Sequence, residues 1–566
     1  MMKRVLFLLL LWLLPWRGTA QEALHVVTTG DVHGCFFPDS YVGGGLRPSL
    51  MSVKWYVDSL RAAVGEDAVV LLDAGDCLQG DNAAYYYNYV AVDEPHVYPL
   101  LAKEMGYDAC VLGNHDIEAS HAVYDRVNDQ MRALGIPWLA GNAFTPSGGL
   151  YFPEYALLQK GRLKVLVLGY DNANIAGWLD EELWRGMRFA SLVPLVQRRV
   201  NRLRAALKPD VVLVVVHSGT GSGDGSSLES QGLDIFKSLK GVQVLVCAHD
   251  HRPYVASKPG CCLLNGGARA GYVGHAVIRL QGRRVREVSA ETVRLDKRKV
   301  DTALCRRFRT QFEAVKAFTN RKVGVLEPSL RTRDAYRGMC DYVNLLHTVQ
   351  LGVPGVQVSF AAPLTYDGQV RGGELVFHDM FTIYPFENQL FVLRLKGSEI
   401  RACLEYSYDN WIRYDGRHVL RIQDKPDART GAPRWSFEQR SYNFDSAGGL
   451  CYTVDVTKPA GSRIRILSMA DGTPFSEDAW YQVAMTSYRA NGGGGIIEAG
   501  TGLKDASGRI VSRHKEIRDF ILDFIGSRAA VRAADIRNSR VIGHWQFVPE
   551  AVAAPLLDAD MRLLFP

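Results

Sequence analysis

The 566-residue chain has little of what marks several protein classes. Its basic excess is slight, 66 Lys and Arg against 60 Asp and Glu, and does not suggest the concentrated basic face of a nucleic-acid polymer binder. Ten cysteines in such a length are too dilute for a disulfide scaffold. Glycine and proline, 54 and 23, are too few and too aperiodic for a fibrous chain, and 47% hydrophobic content is too much for a disordered one. The sequence has no internal repeat, no low-complexity tract and no GxxxxGK loop, so nothing points to an NTP-powered motor. After the first twenty residues no apolar run is long enough to span a bilayer, and no stable membrane anchor is expected.

What is present is enough for two or three domains with cores of their own. Lys3 and Arg4 open the chain, Val5 to Trp16 form an apolar run, and Gly18-Thr19-Ala20 is a small-residue cleavage site. This pattern predicts a secretory signal over 1–20, cleaved near Ala20, and a periplasmic or secreted protein. Export permits disulfides. Cys35 and Cys77 each follow a candidate ligand segment and are the pair to watch, although buried free thiols are the ordinary alternative.

From 21 to 294 the chain repeats one grammar. Runs apolar on both faces (LHVVTT at 24–29, AVVLLDAG at 68–75, ACVLGN at 109–114, LKVLVLGY at 163–170, VVLVVVH at 211–217 and VQVLVCAH at 242–249) alternate with helix-like stretches such as 49–64 and 190–206. That predicts an α/β fold class, a layered domain whose strands are buried on both sides. Residues 295–322 are polar and helix-prone, a linking helix with a solvated basic face. Residues 323–566 mix helix-like stretches (338–350) with strand runs (390–397) and read as a second, α+β domain.

The strand runs end in a characteristic set of residues: Asp31 and His33 after the first, Asp76 after the second, Asn114, His115 and Asp116 after the third. The later runs end in His217 and in His249-Asp250-His251. Ligands of open α/β sheets gather beyond the carboxyl ends of strands, so these side chains can converge. Carboxylate, amide and imidazole without a thiolate set suit two divalent ions, such as zinc, manganese, iron or cobalt. In Asp31-x-His33 and His249-x-His251, strand alternation would turn both side chains to one ion, and Asp76 would bridge two. A single histidine at a strand end is more often structural; it is the five strand ends together that point to a metal pair.

GDVHG, GDCLQG, GNHD, His217 and AHDH resemble, in order, the motifs of the calcineurin-like metallophosphoesterases, and with the second domain the chain is similar to the secreted 5′-nucleotidase / 2′,3′-cyclic-nucleotide 2′-phosphodiesterase family. The resemblance implies that Asp31, His33, His251 and Asp76 hold one metal and that Asp76, Asn114, His217 and His249 hold the other. It implies His115 as the catalytic histidine outside the ligand set, oriented by Glu118 or by Asp116. The expected chemistry is in-line attack on phosphorus by a hydroxide made at the metals, with His115 stabilising charge on the phosphoryl oxygens.

In the second domain the resemblance places Phe386 of IYPFENQL and Tyr488 of SYRANGGGG as the aromatic pair around a nucleobase, with Asn491 in the same glycine loop as a substrate contact. Stacking of this kind is tolerant of base identity. The subfamily signals conflict. SFAAPLTYDG (359–368) lacks the asparagine and arginine of a 5′-nucleotidase NGGGIR segment, and Gly494 stands where an aspartate is common, whereas YPFEN resembles the 5′-nucleotidase PFGN. The expected partner is a small-molecule nucleotide. A sugar nucleotide or another phosphoester is the alternative substrate, and a non-catalytic nucleotide-binding protein is the alternative of another class.

Overall fold

The computed structural model describes residues 22–425, 434–504 and 506–566. The secretory-signal pattern of residues 1–20 lies outside the described residues. Among the described residues no helix is long and apolar enough to cross a membrane.

The first half is built on two six-stranded sheets. One runs, in spatial order, Arg284–Arg294, Tyr272–Gln281, Glu22–Thr29, Val69–Asp73, Ala109–Val111 and Trp138–Leu139. The other runs Tyr254–Lys258, Cys261–Asn265, Val244–Cys247, Val211–Val216, Leu163–Tyr170 and Tyr155–Lys160. Parallel pairing joins Glu22–Thr29 through to Trp138–Leu139 in the first sheet and Cys261–Asn265 through to Leu163–Tyr170 in the second; the remaining strands pair antiparallel. Strand alternation explains the unbroken apolar runs. Leu24, Val26, Val165, Val167, Leu213 and Val215 point into the space between the sheets. Their neighbours face outward, Val27 toward helix Leu50–Val64 and Leu166 and Leu168 toward helix Leu192–Leu207. Helix, sheet, sheet and helix thus stack in layers, with every central strand covered on both faces.

The linking segment departs from a single solvated helix. It forms two short helices, Thr302–Arg307 and Arg309–Thr319, that meet at Phe308. Leu304, Phe308, Phe312 and Val315 are buried in the first domain's core, whereas Phe318 belongs to a core of the second. Its apolar positions therefore fasten it to both halves, and only the remaining face carries the basic residues.

The second half centres on a five-stranded sheet, ordered Ser446–Gly448, Val358–Ala361, Trp480–Thr486, Gln389–Lys396 and Ile510–Glu516. Helix Asp341–Leu351 covers one face and helix Gly397–Trp411 the other. Gln389–Lys396 and Trp480–Thr486 pair antiparallel with Leu390 opposite Thr486. YPFEN enters the first of these strands and SYRANGG leaves the second, so both segments emerge at the same end of the sheet.

Candidate metal centre and aromatic cleft

All ten cysteines are free thiols, Cys35 and Cys77 among them, and both of these are buried. The ligand-type residues at the strand ends converge in two groups. Donor atoms of Asp31, His33 and His251 lie within 4.8 Å of one another, and so do those of Asp76, His217 and His249. The groups adjoin: His217 Nε2 is 3.1 Å from Asp76 Oδ2 and 4.0 Å from Asp31 Oδ1. Asn114 Oδ1 lies 2.9 Å from His249 Nδ1.

Strand alternation is not what aims Asp31 and His33. Both lie beyond the strand that ends at Thr29, each at a φ of 49°. Asp76, His249 and His251 are also left-handed, so five of the nine non-glycine residues with positive φ, among those described, are ligand candidates. Asp and His enter this region more readily than most side chains, and each such residue still costs on the order of 1–3 kcal/mol. Main-chain bonds hold the turns in place: Asp31 N–H donates to Gly75 O and His33 N–H to Asp76 O, both at 2.8 Å. His249 N–H donates to the Asp31 carboxylate at 2.9 Å. Gly113 is needed where it stands, since a Cβ there would fall 2.1 Å from Asp76 Oδ1.

The donor set fits divalent cations. Asp76 Oδ2 and His217 Nε2 are buried and lack hydrogen-bond partners, yet they face each other. His33 Nε2 and His251 Nε2 lie 3.0 Å apart. His33 Nδ1 faces Gln79 O and His217 Nδ1 faces Ala74 O, which assigns their protons to the carbonyls and leaves each Nε2 with a lone pair for a metal. His249 is turned the other way: its Nε2 lies 3.0 Å from Glu229 Oε1, leaving Nδ1 beside Asn114. Burial pushes the His33 imidazole down to about 3, keeping it neutral as a ligand must be.

His115 stands beside this centre, its ring 5.4 Å from that of His33 and its Nδ1 paired with the Glu118 carboxylate. Burial opposes its cation, but the charges of Asp76 and Glu118 outweigh burial and raise the imidazole to about 9. Asp116, the other candidate for orienting His115, has a different task. Its two oxygens accept the main-chain N–H groups of Asp76, Cys77, Leu78 and Gly113 at 2.9–3.0 Å, tying the GDC turn to the GNHD turn.

In the second domain Phe386, Tyr442 and Tyr488 are all half-buried. The ring facing Phe386 is that of Tyr442, 6.2 Å away and nearly perpendicular. Sequence reasoning passed over Tyr442, which sits in SYNFDS with no glycine motif around it. Gly493 makes room for Tyr488, whose ring carbon would lie 2.4 Å from a Cβ there. Buried Arg489 fastens both loops, binding the Asp445 carboxylate with two nitrogens and donating to Asn443 Oδ1, Gly493 O and Tyr442 O.

The cleft and the metal centre meet directly. Asn491 Nδ2 donates to Trp178 O at 3.1 Å, and the Trp178 ring stacks on His249 with centroids 5.2 Å apart. Arg513 pairs with Asp180 at 2.7 Å, and Tyr89 O–H donates to Glu387 at 3.3 Å.

Paired oxygen and nitrogen donor clusters at the carboxyl ends of a two-sheet α/β domain define a class, the metal-dependent phosphoesterases. Residues 24–253 match the calcineurin-like phosphoesterase family and residues 318–500 match the 5′-nucleotidase C-terminal domain. The 2′,3′-cyclic-nucleotide 2′-phosphodiesterase/3′-nucleotidase of Haemophilus influenzae is 21% identical, over 94% of this chain and 88% of that one. The trifunctional nucleotide phosphoesterase protein YfkN of Bacillus subtilis is 22% identical over 89% of this chain, which spans 38% of that longer protein. The solved 5′-nucleotidase precursor of Thermus thermophilus has a TM-score of 0.62 at 20% identity, covering 93% of this chain and 100% of that one. The first half thus carries a calcineurin-like phosphoesterase domain and the second a 5′-nucleotidase C-terminal domain.

Proposed function

We propose that this protein hydrolyses nucleotide phosphoesters, with the phosphate at the metal centre and the base in the aromatic cleft. The observation that carries the reading is the contact chain from Asn491 through Trp178 to His249, which joins the loop that bears Tyr488 to the ligand clusters. Asp31, His33, His251 and Asp76 would hold one divalent ion, and Asp76, Asn114, His217 and His249 a second. When bound, such ions supply Lewis acidity and bring the pKa of water down toward about 7.

The chain's own residues do the rest. Glu118 holds the Nδ1 proton of His115, so that Nε2–H faces the reacting phosphoryl group as a charge-assisted donor. Asp116 fixes the turn that carries Asp76. Tyr442, Tyr488 and Phe386 offer ring faces to a base, and closure of the cleft on Trp178 excludes water. The signal pattern at 1–20 supports export, and a role in extracytoplasmic nucleotide breakdown follows from it.

The test is a substrate panel with metal-replete purified protein: 5′-AMP, 3′-AMP, 2′,3′-cyclic AMP, UDP-glucose and p-nitrophenyl phosphate. Turnover of at least one nucleotide well above UDP-glucose, abolished by a chelator and restored by zinc, manganese or cobalt, is the expected result. A protein that cleaves p-nitrophenyl phosphate but no nucleotide would overturn the assignment of the cleft.

A further inference from the structure

One carboxylate stands between the two halves of the site. Glu229 lies on the glycine- and serine-rich segment 218–231, and its main chain is pinned there. Its carbonyl accepts Ser218 Oγ–H at 2.9 Å and the Asn172 side-chain amide at 3.1 Å, and Gln231 N–H donates in turn to Ser218 Oγ at 2.9 Å. The side chain is 48% exposed, and its Oε1 meets His249 Nε2 at 3.0 Å. The same carboxylate reaches the other domain electrostatically. Burial is the main cause that raises the phenols of Tyr442 and Tyr488, and the charge of Glu229 adds to it at both.

Glu229 touches His249 on the metal side, where Trp178 and Asn491 join the two halves, so the middle portion of a ligand with phosphate at the metals and a planar base among the aromatics would pass near it. In a nucleotide that portion is the sugar. An ionised carboxylate is an acceptor only, and sugar hydroxyls are donors, so the two are matched in polarity. Oε1 is engaged by His249, which leaves Oε2 to accept from a second donor.

We propose that Glu229 is a specificity-determining residue that accepts a hydrogen bond from a ribose hydroxyl of the bound nucleotide and so favours ribo- over 2′-deoxyribonucleotides. This rests on the nucleotide reading above and deepens it. A hydrogen bond to a charged group, lost with the 2′-hydroxyl, corresponds to a discrimination of roughly tenfold or more.

The experiment compares kcat/KM for AMP and its 2′-deoxy counterpart, both as the 5′- or the 3′-monophosphate according to which the panel finds active, and for p-nitrophenyl phosphate. It is run on the full-length, metal-loaded protein, Glu229→Ala and Glu229→Gln, with metal content measured in each. The expected result is a ribo preference of roughly tenfold or more that falls close to unity in Glu229→Ala through a higher KM for the ribonucleotide. Glu229→Gln, which keeps an acceptor oxygen, is expected to retain part of it. Glu229→Ala also frees His249 Nε2, and any loss of metal or of p-nitrophenyl phosphate hydrolysis from that cause falls equally on both nucleotides and cancels from their ratio. A ribo preference unchanged in Glu229→Ala overturns the proposal. So does an equal loss on all three substrates, which would mean that Glu229 acts only by orienting His249. Failure of the parent protein on both nucleotides, with p-nitrophenyl phosphate cleaved, is a different result and overturns the nucleotide reading itself.

Discussion

Asn491 Nδ2 donates to the main-chain oxygen of Trp178, and the ring of that same tryptophan lies on His249. A loop of the second domain is thus fastened two contacts from a metal-ligand candidate of the first. On the proposed function, substrate affinity and the placement of His249 would be mechanically linked.

Replacing Asn491 with alanine removes that fastening and nothing from the metal clusters. One hydrogen bond contributes about 0.5–1.5 kcal/mol net, so KM for a nucleotide should rise roughly 2- to 10-fold. The KM for p-nitrophenyl phosphate, which does not use the cleft, should stay put. Steady-state kinetics on both substrates checks this, and a fall in kcat alone on both would contradict it.

Removing His115 should leave the metals in place and cost about 10²–10⁴ in turnover. The subtler test is Glu118→Gln. In the proposed reaction His115 would act as a cation, its imidazole raised to about 9 against burial by the charges of Asp76 and Glu118. Activity that needs this proton is present at lower pH and lost as pH rises through the His115 pKa. Taking away the Glu118 charge lowers that pKa, so the alkaline limb of the pH–rate profile should move to lower pH. A limb that stays in place would remove Glu118 from this role.

Asp116 should behave as a structural residue rather than as a partner of His115. Asp116→Ala strips partners from four buried main-chain N–H groups, each costing on the order of 1–3 kcal/mol when unsatisfied. A large drop in melting temperature and weakened metal binding are expected. Asp116→Asn, which keeps one acceptor oxygen, should be milder, and neither variant should shift the alkaline limb that Glu118 controls.

The domain interface should loosen with rising pH. Glu387 is buried near Arg518 and Glu516; burial first, then the Glu516 charge, raises its carboxyl well above the ordinary range. Burial raises Glu516 as well. The folded state therefore holds these protons more tightly than the unfolded chain. The stability they contribute is full below the ordinary carboxylate range and is lost as pH climbs through the raised values. Glu387→Gln removes one of the titrating groups, so the fall in melting temperature between about pH 5 and about pH 8 should be smaller in the variant. An equal fall would count against the interface carboxylates as its cause.

Much of this was legible beforehand because burial on both faces leaves a plain mark. Val211–Val216 could hardly be anything but a central strand, and the polar residue closing each such run had to lie at the sheet's carboxyl edge. The reason Asp31 and His33 aim together was misread. Alternation along a strand is a property of extended backbone, and these residues have already turned left-handed. Glu229 and Trp178 left no signal at all, because both lie in irregular loops whose meeting with His249 depends on distant strands. Tyr442 was hidden for the same reason, whereas Tyr488 was found only through the family resemblance of its SYRANGGGG segment. The linking segment breaks once, at Phe308, which with Phe312 is buried in the first core, a tertiary preference that a count of polar residues does not reveal.

The five left-handed Asp and His residues set a limit on how this protein can be improved. Engineering for heat tolerance ordinarily begins by relaxing awkward turns, and here five of the nine left-handed or positive-φ non-glycine positions described are ones that present donor atoms. Variants that swap them for comfortable residues would gain robustness as empty shells, so any screen for durability has to select on bound cation as well as on survival.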